Sequence, residues 1–173
     1  MKWLKLALSA AAIAAAFIAI RYVSWTPVQC HALTMTVADS MERMQSTTDP
    51  IRLAVAAREN IARLEPCRRA VPWNINLHLL VAENYAARDM HENAIRVYHD
   101  ALRYDYRPEI YFNLGQELLK AGRVEEAIGP LTIACTINAY LINDIAPLDV
   151  RQRVLTLADH RAILPRLPDE PGH

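Results

Sequence analysis

Two stretches of the chain repeat each other 33 residues apart. Asn93-Ala94-Ile95, then Tyr98 and Ala101-Leu102, recur as Glu126-Ala127-Ile128, Leu131 and Ala134-Cys135. A second helical pattern lies upstream of each: Leu80, Ala82 and Tyr85 in the first copy, Leu114, Gly115 and Leu118 in the second. One such unit cannot bury its apolar face alone, so a period near 34 implies helical hairpins stacked on one another. The expected fold class is all-α, a short α-solenoid of antiparallel helical hairpins. Stacks of this kind generally bind other polypeptides rather than perform chemistry.

Composition narrows the functional classes. The 173 residues carry 19 basic and 19 acidic side chains, but the charge is unevenly placed. Lys2, Lys5 and Arg21 precede the first acid, Asp39, and without them 16 basic face 19 acidic residues. A remainder with net negative charge argues against a nucleic-acid surface. Only four glycines occur, which leaves little material for a phosphate-cradling loop.

Leu6 to Ile20 is an uninterrupted uncharged run of 15 residues, preceded by two lysines and followed by one arginine. As a helix it would rise roughly 22 Å, short of a hydrocarbon core of about 30 Å. Lys5 and Arg21 can snorkel, and Trp3, Tyr22 and Trp25 suit the interface, so residues 1–25 are expected to form an N-terminal membrane helix. A cleaved signal sequence is the rival, with Ala14-Ala15-Ala16 offering small residues for cleavage and a secreted, periplasmic product. A buried soluble helix is a third reading, and the run has no amphipathic face to support it. The heavier positive charge before the run places the remainder outside the cytoplasm, as a single-pass protein of an inner (plasma) membrane.

In that orientation the three cysteines, Cys30, Cys67 and Cys135, face an oxidising compartment. Cys30 precedes a helical pattern at about Ala32–Gln45, and Cys67 follows the next at about Pro50–Glu65. Those ends are neighbours in an antiparallel hairpin, so a Cys30–Cys67 bridge can close it; the alternative is three free thiols. Cys135, among apolar helical neighbours, reads as a small core residue. No Cys-x-x-Cys occurs, so neither a zinc ribbon nor a thioredoxin motif is supported.

The remaining organisation follows from stop signals and periodicity. Residues 26–34 read as a linker with Pro27, and 35–66 as a degenerate hairpin. Its apolar stripes are Met35, Ala38, Met41 and Met44, then Ile51, Ala54, Ile61 and Leu64. Asp49-Pro50 supplies an N-cap and a first-turn proline, and Pro66 is expected to end that helix. A basic connector spans 67–74. Helices are expected at about Asn74–Arg88, His91–Arg103, Pro108–Ala121 and Val124–Ile137, two copies within 75–141. A capping helix at 149–164, with Val150, Val154, Leu157 and Ala158 as its apolar face, precedes a tail, 165–173, expected to be disordered.

From Ile75 to about Leu141 the chain resembles tetratricopeptide repeats. The better copy, Pro108 to Leu141, carries Tyr111, Leu114-Gly115, Leu118, Ala127, Leu131 and Ala134 at sites that match the family pattern. The first carries Leu80, Ala82, Tyr85, Ala94, Tyr98 and Ala101. The family's proline after the second helix is absent, with Tyr106 and Ala139 in those places, and the first copy is one residue short. The resemblance covers about two-fifths of the chain and implies that each first helix lines a concave groove for a protein or peptide partner. Matching groove positions are Asn76, Leu79, Glu83, Ala86 and Ala87, then Glu109, Phe112, Gln116, Leu119 and Lys120. That set is mixed and partly apolar, and it lacks the Lys/Asn clamp some members use for a C-terminal carboxylate. An apolar helix or extended segment is therefore the expected ligand, with Phe112 as its anchor.

Residues of catalytic type are scattered. His91-Glu92-Asn93-Ala94-Ile95 begins like a zinc-protease motif without its second histidine. His78 and His99 share no ligand spacing with it, and His99 reads as helix surface. None of Ser9, Ser24, Ser40 and Ser46 lies in a nucleophile elbow. Arg68-Arg69 reads as a solvated connector, with contact to anionic lipid or to an acid of a partner as the alternative, and Tyr98, Tyr104, Tyr106 and Tyr111 cluster near one inter-helix turn. Neither cofactor, metal nor small-molecule substrate is expected. The expected role is a non-catalytic, membrane-anchored scaffold or assembly factor for an envelope complex of bacterial type. The alternative is a permanent subunit of a membrane enzyme or of a secretion or polysaccharide machinery, packed through its anchor helix along Ala10–Ala12 and Ala14–Ala16.

Overall fold

The computed structural model describes residues 12–19, 26–44 and 49–159, apart from the side chains of 43 and 44. The described residues are all-helical. A helical segment covers 12–19. Then come α1 (Thr26–Met44), α2 (Pro50–Ala70), α3 (Ile75–Ala86), α4 (His91–Ala101), α5 (Pro108–Lys120), α6 (Val124–Ile137), a 3-10 turn (Ala139–Asp144) and α7 (Leu148–Asp159). Each helix from α1 onward packs against the next in the chain, and α1 also touches α3. Most of the expected membrane helix and all of the tail lie outside the described residues. Among the described residues no helix is long and apolar enough to cross a membrane.

The 33-residue repeat is also a repeat of backbone geometry. Gly122 (φ 76°) and Asp89 (φ 54°) hold the left-handed conformation after α5 and α3. Arg123 N–H donates to Leu118 O and Met90 N–H to Tyr85 O, closing the two helix ends in the same way. Glycine takes this conformation without penalty; aspartate is among the few other residues that visit it routinely. Close approach is repeated less evenly. A Cβ on Gly115 would stand 2.5 Å from Leu131 Cγ, so α5 and α6 meet at a distance only glycine permits.

The core runs through every hairpin. Leu77, Val81, Ala94 and Tyr98 in the first copy, and Ile110, Leu114, Ala127 and Leu131 in the second, are buried. Each full burial of a leucine-sized side chain is worth about 1.5–3 kcal/mol before entropy is charged against it. Ile142 and Ile145 from the 3-10 segment and Val150, Val154 and Ala158 from α7 close the far end. Arg151 donates to Ile145 O and Asn143 O, and Arg153 forks onto Glu125, binding α7 to the chain before it.

The N-terminal hairpin departs from the sequence expectation in three ways. The linker assigned to 26–34 is helical, because Pro27 occupies the first turn of α1, where its missing N–H is not needed. Pro66 does not end α2, which continues to Ala70. Arg68 beyond the proline pairs with Glu65 at 2.7 Å and Asp100 at 3.1 Å, and Cys67 is bridged to Cys30 with Cα atoms 5.4 Å apart. These ties hold the last turn in place despite the lost backbone bond, which costs about 3 kcal/mol in a helix interior. The connector shrinks accordingly from 67–74 to 71–74. Third, the apolar stripes are shifted in part: Ala38 and Met41 pack half-buried against the core and Leu64 is buried, as expected, but other positions differ. Cys30, Thr34 and Val37 are buried on α1 while Met35 is exposed, and Ala57, Asn60 and Leu64 are buried on α2 while Ile51 is exposed. The bridge fixes which face of α1 looks inward, and side-chain hydrophobicity alone did not reveal that. Asp49 does cap α2, its carboxylate accepting from Ile51 N–H and Arg52 N–H. At the other end the cap begins at Leu148, one residue before the Asp149 expected to open it, and Leu157 is exposed.

Candidate groove between the two repeat copies

The two copies together shape a concavity of about 380 Å³. Glu83 and Ala86 of α3 form one wall and Tyr98 of α4 the floor. Asn113, Gln116, Glu117 and Lys120 of α5 form the other wall, and Asp144 of the 3-10 turn stands at the rim. The α5 residues are spaced i, i+3, i+4 and i+7, so they share one face of that helix.

Polar groups in the concavity are held in place. Glu117 is buried, and its carboxylate meets His91 Nδ1 at 2.8 Å and Lys120 Nζ at 2.7 Å. A buried carboxylate is tolerated when its oxygens are paired in this way. Gln116 Nε2 donates to Asp144 O at 3.1 Å, fastening the 3-10 turn to α5. The Tyr98 hydroxyl is pushed well above its ordinary range by burial, then by the Glu83 and Glu117 carboxylates, with Asn113 hydrogen-bonded to it. It therefore stays a neutral phenol. The Glu83 carboxyl reaches solvent, yet protein surrounds it across the concavity, and that crowding raises its pKa. No basic side chain of the described residues is paired with it.

Of the groove positions implied by the resemblance, Glu83, Ala86, Gln116 and Lys120 line this concavity. Leu79, Phe112 and Leu119 instead pack, half-buried, against the core. Asn76, Ala87 and Glu109 are exposed outside the lining. On α5 the face that lines the concavity is thus turned by one residue, about 100° of helix, from the face through Phe112 and Leu119. Tyr98, Asn113, Glu117 and Asp144 were not among the expected groove residues. The polar stripe Asn113-Gln116-Glu117-Lys120 was available in the sequence as a signal. Nothing there announced Asp144, which arrives through an unexpected 3-10 turn.

The arrangement offers donors and acceptors to a ligand in several directions. Among the described residues no group of three His, Cys, Asp or Glu side chains is placed to hold a metal ion. Cys135 lies within the core, and burial pushes its thiol up to about 11. No protein-family model matches the chain, and neither a curated protein nor a solved structure matches it.

Proposed function

We propose that this chain is a non-catalytic scaffold that holds a polypeptide partner in the concavity between its two repeat copies. In this reading the helices form a short tetratricopeptide-like solenoid, anchored by the N-terminal apolar run in a bacterial-type inner membrane, with the stack on the outer side. The observation that carries it is the joint construction of the concavity, with Glu83 from one copy facing Gln116 and Lys120 from the other. The Cys30–Cys67 bridge is in keeping with an oxidising compartment. Of the apolar helix and the extended segment expected from the sequence, the polar lining favours the extended segment, one with polar or cationic side chains.

The test is photo-crosslinking from Asn113 and from Gln116 in intact cells, with Glu109 as a site outside the lining. A discrete polypeptide adduct from the first two and not from Glu109 supports the groove. Equal labelling from all three defeats it.

A second reading is favoured by one observation. Ile13, Phe17 and Ile18 are all exposed on the helical segment 12–19, and apolar surface of this kind calls for a cover. If that cover is another membrane polypeptide, the chain is a permanent subunit. It would then survive purification in mild detergent and high salt at fixed stoichiometry, whereas a groove-bound partner would be lost.

A further inference from the structure

We propose that one edge of the helical stack lies on the membrane surface, and that Trp73, Tyr106 and Tyr140 sit in the lipid headgroup layer. This rests on the anchored reading above and adds an orientation to it.

The three aromatics are separated by 33 and 34 residues, one repeat step each. They occupy successive connections of the same kind: α2 to α3, α4 to α5, and α6 to α7. Their exposures are 63%, 68% and 78%, high values for side chains of this size. Surface aromatics scattered singly need no explanation, but a set recurring at the repeat period forms a surface. The first two connections are neighbours in space: His78 bonds Pro72 O at 2.9 Å and its ring lies 6.1 Å from that of Tyr104. Arg68 reaches Asp100 across the same edge.

What identifies the occupant is where the N-terminal segment joins the stack. The Cys30–Cys67 bridge holds the first turns of α1 against the last turn of α2, with Cα atoms 5.4 Å apart. Thr26, the first residue of α1, therefore enters at the edge that carries Trp73. The apolar run Leu6–Ile20 lies just upstream of it in sequence. An anchor leaving from that edge brings the edge, and not the opposite one with its Asp89 and Gly122 turns, towards the bilayer.

The side-chain chemistry agrees. Tryptophan and tyrosine are enriched at the membrane–water interface, where an apolar ring and a polar tip are both accommodated. Arg69 and Arg103 are exposed on the same edge, Arg103 with only a distant Asp100 oxygen at 4.0 Å. Cations there suit anionic headgroups.

The experiment uses the full chain reconstituted in vesicles of phosphatidylethanolamine and phosphatidylglycerol. Cys135 is buried and the other two cysteines are bridged, so a nitroxide attaches only at an introduced thiol. Labels are placed by Tyr106→Cys, Tyr140→Cys and, on the opposite edge, Ala87→Cys, and thermal unfolding checks that each variant folds. Flotation reports anchoring separately from label depth. The expected result is that labels at 106 and 140 collide several-fold less with a water-soluble relaxant, and more with dissolved oxygen, than the label at 87. Equal aqueous exposure of all three on a protein that floats with the vesicles overturns the inference and leaves the anchor standing. Failure to float overturns both. A photo-crosslinker at 140 in intact cells that joins only polypeptide assigns the edge to a protein partner, which also overturns it.

Discussion

Asn60 Nδ2 donates to Asn84 Oδ1 at 3.0 Å inside the protein, and Asn84 passes its own amide protons to Leu80 O at 2.6 Å and Met41 Sδ at 3.1 Å. Both asparagines are buried. The contact joins α2 to α3 and reaches α1, so it sets the seating of the N-terminal hairpin on the rest of the stack. Buried amides penalise any register in which they are unpaired.

Asn60→Leu should therefore cost about 1–3 kcal/mol, because Asn84 Oδ1 loses its donor in an enclosed place. Urea denaturation of the two proteins measures this. A midpoint equal to that of the parent would show that the pair contributes nothing to seating the hairpin.

Gly115→Ala should cost about 1–3 kcal/mol by overpacking against Leu131. Gly122→Ala meets no neighbour but must hold φ at 76°, which costs about 1 kcal/mol. The order of the two denaturation midpoints, Gly122→Ala above Gly115→Ala, checks both arguments together.

Phe112→Ala should lower stability by about 2 kcal/mol, since the ring is half-buried against the core. Partner recovery from cells, corrected for the amount of folded protein, should be unchanged. A folded, stable variant that loses the partner would return Phe112 to the groove.

His78 gives stability a pH dependence. Its imidazole is buried and Nε2 meets Pro72 O. Burial lowers its pKa, with Arg68 adding to the effect. The unfolded chain then binds this proton first as pH falls, so the contribution is full above the unfolded value of about 6.5 and is lost progressively below it. Urea midpoints between pH 8 and pH 5 should fall less steeply in His78→Gln than in the parent.

Thiol counting tests the cysteine arrangement. The folded protein should take up no labelling reagent at pH 8, where the Cys135 thiol is protonated as well as buried. Denaturant without reductant should release one thiol, and denaturant with reductant three. Reduction should cost about 4 kcal/mol by the loop-entropy relation.

The helices of the two repeat copies were legible because their apolar spacing, Pro108 and Gly122 all signal the same boundaries. The N-terminal hairpin was less so. Pro66 is a local stop signal overridden by Arg68 and Cys67, whose partners Asp100 and Cys30 lie 32 and 37 residues away. In the groove, Glu83, Gln116 and Lys120 could be named from the repeat register. Phe112 and Leu119 pack against the core and not in the concavity, because helix phase is set by packing against α6, where Gly115 faces Leu131. Tyr98 belongs to the core and the groove floor at once, a double role that residue type does not announce.

The bridge between Cys30 and Cys67 has a mechanical meaning. If the N-terminal run is held in a bilayer and the stack is pulled by a bound partner, tension enters at Thr26 and crosses into α2 at Cys67. The polypeptide between the two cysteines, a sequence separation of 37, is bypassed. That stretch, with the buried Asn60, can then neither unravel nor lengthen under force while the disulfide is intact. Reduction would change the protein from a short, stiff tether into one with roughly 120 Å of spare chain.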